Sequence, residues 1–161
     1  HGWFDKRFIY EQSLRTPLLM KMPKGYERKG EVNDLVQNID YAATFLDMAG
    51  VAVPDDIQGI SLKPLLEGNT ESNLRDAIYY HYYEFPNEHA VKRHYGIRTD
   101  RYKLIHFYND IDDWELYDLQ TDPDEMNNIY EDESNTRLIA ELKTQLAGLQ
   151  EKYQDTDRST Y

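Results

Sequence analysis

The first 17 residues, HGWFDKRFIYEQSLRTP, crowd His1, Asp5, Lys6, Arg7, Tyr10, Glu11 and Arg15 among aromatic side chains. Fixed charges interleaved with rings suit the wall of a cleft that takes a polar, anionic ligand. Lys6 and Arg7 could each give such a ligand charge-assisted hydrogen bonds worth about 1.5–3 kcal/mol apiece. On composition alone, the same residues read rather as ordinary surface pairs among Asp5, Lys6, Arg7 and Glu11. A second acidic group, Asp122, Asp124 and Glu125 around Pro123, lacks the alternating frame and the closing bidentate Glu of a calcium loop, so it reads as a turn. The 161 residues contain no Cys, which excludes disulfides, thiolate zinc sites and a cysteine nucleophile.

The elements that would carry these residues change character along the chain. Leu18–Met22 is a short apolar run ended by Pro23 and reads as a buried strand, and the basic stretch from Lys24 to Gly30 reads as an exposed loop. Apolar residues at Leu35, Val36, Ile39, Ala43, Leu46 and Ala49 allow one helix of about 18 residues closed by Gly50. They also allow a shorter helix starting after Asp40, and periodicity does not choose. Residues 51–68 are mostly loop, and the polar stretch 67–73 is the candidate boundary. Beyond it Ala77–Tyr83, Lys92–Thr99, Tyr102–Tyr108 and Trp114–Leu119 read as four antiparallel strands. A final helix capped by Ser134 or Asn135 presents Leu138, Leu142, Leu146 and Leu149 on one stripe, fit to cover one face of the sheet.

The net charge of −12 is uneven: residues 1–108 hold 15 acids and 14 bases, residues 109–161 hold 15 acids and 4 bases. That balance argues against a nucleic-acid surface, and the acidic third reads as solvated faces and loops. No run approaches the length of a membrane span. The chain starts at His1 without an initiator Met or signal peptide, so it reads as processed or truncated.

H-G-W-F-D-K-R-F-I-Y-E-Q-S-L-R-T-P-L-L resembles a segment late in the catalytic domain of the type I, formylglycine-dependent sulfatases, members of the alkaline phosphatase-like superfamily. N-I-D-Y-A-A-T-F-L-D-M-A-G-V resembles their D-x-x-P-T-x-L-D-L-A-G helix, with Ala43 where proline is usual. Q-G-I-S-L-K-P-L-L-E-G, G-I-R-T-D-R-Y-K-L-I and W-E-L-Y-D-L-Q-T-D-P-D-E-M-N-N-I resemble three further stretches in the family's order and spacing.

The resemblance implies a fold and a division. Residues 1–66 would be the C-terminal edge of an α/β catalytic domain and 67–74 a linker. Residues 75–154 would be a small α+β subdomain, a four-stranded antiparallel sheet with a C-terminal helix, and 155–161 a tail. It also places a strand before Asp40 and the helix start near Tyr41.

The same resemblance assigns roles. Lys6 would be catalytic, touching the sulfate oxygens near the leaving group. Asp5 and Arg7 would bind the sugar, His1 would line the same pocket, and His89 or His94 would contact the sugar ring, unless these two are ordinary loop and sheet histidines. His81 and His106 read as structural, Tyr10, Glu11 and Arg15 as core, with a Glu11–Arg15 pair conceivable. Tyr79, Tyr80, Tyr82 and Tyr83 would supply both sheet faces or, alternatively, a stacking platform for carbohydrate.

The implied cofactors are calcium and formylglycine in the parent enzyme, with no metal bound by this chain alone. None of its five serines stands in the C/S-x-P/A-x-R frame of the family nucleophile. The expectation is the C-terminal part of a carbohydrate sulfatase, inactive alone, acting on sulfated sugar such as 6-O-sulfated glucosamine of glycosaminoglycans. Its partner would be the missing N-terminal catalytic domain, and its compartment periplasmic, extracellular or lysosomal. The alternatives are a phosphonate or phosphate monoester hydrolase of the same superfamily, and a stand-alone glycan-binding module.

Overall fold

The computed structural model describes residues 6–24, 26, 30–68, 74–86 and 88–155. The chain divides into two units: Leu18–Asp76, and the residues before and after it.

The larger unit is built on a four-stranded antiparallel meander: β1 (Ala77–Tyr82), β2 (His94–Thr99), β3 (Tyr102–Phe107) and β4 (Asp113–Asp118), paired in chain order. The register sets Tyr80 opposite Gly96, Gly96 opposite Ile105, and Ile105 opposite Glu115. Because side chains alternate across a strand, that register sorts two complete faces. One face carries Ala77, Tyr95, Ile97, Leu104 and Leu116 and packs against Leu142 and Leu146 of helix α4 (Thr136–Lys152). Ile97, Leu104, Ile105 and Leu116 are wholly buried, each side chain worth about 1.5–3 kcal/mol of apolar transfer. Asn135 is the N-cap residue of α4, as expected, but its side chain makes no cap hydrogen bond, and the side-chain cap lies at the preceding turn. Asp132 accepts from the Ser134 N–H and opens a 3₁₀ turn, Glu133–Asn135, that runs into the helix.

The second face is covered by the N-terminal arm. Phe8, Ile9, Tyr10 and the single turn α1 (Glu11–Leu14) lie on Ile105, Phe107 and Tyr117. A Cβ on Gly96 would meet Leu104 O at 2.5 Å and Ile9 Cδ1 at 2.9 Å, so the bare glycine is what lets Ile9 reach the sheet. The arm up to Pro17 therefore groups with the sheet, whereas the sequence division at 67–74 kept residues 1–66 together. The physical reason is that a two-faced sheet needs two covers, and α4 supplies one.

In the smaller unit, α2 spans Asp40–Met48, so the 18-residue helix does not form. The helix begins at Asp40, whose carboxylate accepts from the N–H groups of Gln37 (2.7 Å) and Ile60 (2.9 Å) and from Arg75 Nη1 (2.7 Å) and Nη2 (2.6 Å). It ends in a reversal at Gly50, where the Val51 N–H reaches Leu46 O. Thr44 donates to Asp40 O and accepts from the Leu62 N–H, and Asp47 accepts from Ser61 Oγ and pairs with Lys63 at the start of α3 (Lys63–Leu66). A Cβ on Gly59 would lie 2.0 Å from Ile39 O, so the loop can cross the helix start only as glycine. Residues 18–22 and 31–37 form no strand, for a strand without a neighbour has no partner for its backbone hydrogen bonds. Of the expected basic loop, Gly25 and residues 27–29 lie outside the described residues, as do residues 69–73 of the linker.

Candidate functional site

The arm crosses the sheet and is held at successive rows of side chains. Phe8 stacks near His94 and Tyr10, with ring centroids 5.6 Å apart in both pairs. Ile9 sits over Gly96, the Tyr10 hydroxyl donates to Glu115 Oε2 at 2.9 Å, and Tyr10 meets Tyr117 edge-on. Burial, then the Glu115 charge, pushes the Tyr10 phenol far above its ordinary range, so it stays a donor. The Glu11 N–H donates to Glu125 Oε2 at 2.6 Å, while its carboxylate takes Lys103 (2.9 Å) and Arg98 (3.3 Å).

This clamping delivers Lys6 and Arg7 to the end of the arm. Lys6 is solvent-exposed. The Arg7 carbonyl accepts from the Tyr80 hydroxyl at 2.7 Å, and its guanidinium donates to His89 Nε2 at 2.7 Å, which puts the His89 proton on Nδ1. Burial pushes the Tyr80 phenol up to about 12. Tyr82 donates to Glu84 at 3.1 Å, and burial followed by that carboxylate raises its phenol above the usual range. Arg7 and His89, 82 positions apart, are thus brought together. His1 and Asp5 lie outside the described residues.

His94 stands elsewhere. It is wholly buried beneath Phe8, Tyr80, Tyr82 and Phe107. Its Nδ1–H donates to Lys92 O at 2.8 Å, and its buried Nε2 has no hydrogen-bond partner. Burial pushes it down to about 4, so it is neutral near pH 7. Of the two histidines named for the ring contact, His89 is half-buried and His94 wholly buried. His81 and His106 are structural: His81 bridges Asp155 and Tyr108, and His106 bridges Tyr95 and Asp112 while stacking on Trp114. The tyrosine cluster divides between faces, with Tyr79 stacked on Tyr153 and bonded to Asp155, and Tyr80 against the arm.

Arg15 is exposed, and Glu11 pairs with Lys103 and Arg98 in its place. The partner missed by sequence reasoning is Glu125, wholly buried and 2.6 Å from Lys103. The turn at Pro123 forms, with Asp122 accepting from the Met126 and Asn127 N–H groups, and it points Glu125 inward. The signal was present, because Glu125 closes the quoted D-P-D-E stretch, but nothing local distinguishes an inward Glu from a solvated one. Among the described residues, no group of three or more His, Asp or Glu is placed to hold a metal ion.

The family of the N-sulphoglucosamine sulphohydrolase C-terminal region matches residues 1–152. The chain belongs to that family. It is 55% identical over 159 residues to an N-acetylglucosamine-6-O-sulfatase of Bacteroides thetaiotaomicron, covering 98% of this chain and 28% of the relative. It is 33% identical to an arylsulfatase of Clostridium perfringens, covering 98% of this chain and 33% of the relative. A solved structure of a protein in complex with its substrate D-glucosamine-2-N,6-O-disulfate superposes with a TM-score of 0.86 at 53% identity, over 98% of this chain and 32% of that one. The chain thus spans about a third of the length of the proteins it matches. Its four-stranded sheet and C-terminal helix are those of a sulfatase C-terminal portion.

Proposed function

We propose that these residues form the substrate wall of a sulfuric ester hydrolase acting on 6-O-sulfated glucosamine, with Lys6 at the sulfate and Arg7 and His89 at the sugar. The observation that carries the reading is the clamped arm, which presents an exposed Lys6 beside the Arg7–His89 pair at 2.7 Å. The 55% identity to an N-acetylglucosamine-6-O-sulfatase supports the sugar and the sulfate position. As the sulfur–oxygen bond of the ester breaks, negative charge develops on the sugar oxygen. The Lys6 ammonium supplies a compact cation with three donors for that charge and for the sulfate oxygens. A guanidinium held by His89 suits directional hydrogen bonding to sugar hydroxyls, and Asp5 and His1 join this wall in the proposal.

Formylglycine, which the family implies, finds no fit in this sequence, and calcium finds none among the described residues. There is no Cys, no serine stands in the required frame, and the described residues hold no metal-binding group. In this reading both belong to the rest of the parent protein, and no step is derived through them. Among the described residues, no helix is long and apolar enough to cross a membrane. We propose a periplasmic, extracellular or lysosomal compartment, a reading that the family resemblance supports and fractionation tests.

The deciding experiment is Lys6→Ala in the full-length protein, assayed for sulfate release from N-acetylglucosamine-6-sulfate. The expected result is a fall in kcat/KM of at least about 100-fold. Unchanged kinetics overturns the assignment of Lys6, and hydrolysis of phosphate monoesters without sulfate release overturns the substrate.

A further inference from the structure

Four ionic residues from separate stretches of chain meet beneath the arm. Lys103, the second residue of β3 and at zero exposure, lies 2.9 Å from Glu11 Oε1 and 2.6 Å from Glu125 Oε1. Arg98, the cross-strand neighbour of Lys103, closes the group at 3.3 Å from Glu11 Oε2. Glu125 also takes the Glu11 backbone N–H, so the cluster holds both the side chain and the main chain of one arm residue. Burial tends to raise the Glu11 carboxyl, but the Lys103 charge and the Arg98 hydrogen bond outweigh it and hold the group ionised.

We propose that this cluster is a register clamp, making Glu11, Lys103, Glu125 and Arg98 positioning residues for Lys6. The inference rests on the function proposed above. The apolar contacts of Phe8 and Tyr10 are non-directional, and the directional holds beside them, Tyr10 on Glu115 and Tyr80 on the Arg7 carbonyl, come from neutral hydroxyls, weaker at fixing register than a buried ion pair. A buried ammonium does not tolerate sliding. A one-residue slip would carry Glu11 away from Lys103 and leave Glu125 and Lys103 to satisfy each other and nothing else. The same slip moves Lys6 by up to about 3.5 Å, whereas a misplacement of about 1 Å at a reacting group can cost on the order of 100-fold in rate. A packed apolar set could hold these positions with equal or greater stability. What ions add here is selection of one register, and a one-register arm is what a single correctly placed lysine requires.

A double-mutant cycle in the full-length protein tests this, with sulfate release from N-acetylglucosamine-6-sulfate as the readout. The paired substitution Lys103→Met with Glu125→Gln removes the clamp without stranding a buried charge. The expected result is at least a tenfold fall in kcat/KM when Lys6 is present and less than a twofold change in the Lys6→Ala background, since a mislaid lysine and an absent one lose the same interaction. Full multiplication of the two losses overturns the proposal, as does an unchanged kcat/KM when Lys6 is present. If the paired variant does not fold, as judged by near-ultraviolet circular dichroism, Arg98→Gln at the partly exposed rim carries the same cycle, with Arg98→Lys expected to restore activity. The first reading fails separately: a silent Lys6→Ala removes the sulfate assignment whatever the clamp variants do.

Discussion

His94 and Lys6 mark the two fates of a chemistry-bearing residue in this fold. His94 is held neutral by burial, with only Lys92 O for its Nδ1 proton. An unfolded chain takes up a proton at that histidine near pH 6.5, whereas the folded chain resists until about 4, so between those values the unfolded state holds more protons. Stability contributed here is complete above the unfolded value and declines as pH falls through the window, by on the order of 3 kcal/mol in all. His94→Phe removes that component. The urea midpoint of the variant should vary less between pH 7 and pH 4.5 than that of the parent, and parallel slopes would contradict it. At this scale the sequence shows which residue types are present but not their depth. The sequence named Arg7 and His89, which the fold brings within hydrogen-bond distance, but it did not tell His89 from the buried His94 or show that Glu125 is buried. Their burial depends on which strand row and which turn they face, a long-range fact absent from local spacing.

Elements were more legible where the pattern is self-sufficient. The four strands fall within two residues of the alternating runs in the sequence, and Leu142 and Leu146 of α4 are buried as the stripe requires. The α2 boundary was not, because the apolar period continues upstream of the residue that stops it. Asp40 stops it by spending its carboxylate on Gln37, Ile60 and Arg75, so the preceding residues turn away from the helix. Burial tends to raise that carboxyl, but the Arg75 hydrogen bonds and the two backbone donors hold it below the usual range. Arg75→Met leaves a buried carboxylate without its cation and should destabilise Leu18–Asp76 by about 3–5 kcal/mol. Gly59→Ala should act at the same point by a different cause, forcing the loop off Ile39 O. Hydrogen exchange of α2 amides would report both. Retained protection in both variants would show that Asp40 is not the hinge of this unit.

At the scale of the molecule, Leu18–Asp76 carries exposed apolar surface among the described residues. Leu19 is 92% exposed and Phe45, on the outer side of α2, is 63% exposed, with Leu18, Met20, Ile39, Tyr41 and Val51 also open. The run Leu18–Met22 reads in the sequence as a buried strand, but no strand forms there, and Leu18, Leu19 and Met20 stay exposed among the described residues. The proposed reading, in which the chain works as part of a protein about three times as long, gives this surface a use as packing against the rest of the parent. The two possibilities differ in energy at one residue. If the α2 face is covered in the full-length protein, Phe45→Ala removes a buried ring and should cost about 3–5 kcal/mol of stability. If the face stays in solvent, the same substitution should fall within about 0.5 kcal/mol of the parent. Urea unfolding of the full-length protein decides between them, and Leu19→Ala provides an independent reading, expected at about 2–5 kcal/mol when covered. A large cost at both positions would make this segment a docking element of the catalytic body, and a negligible cost at both would remove that role.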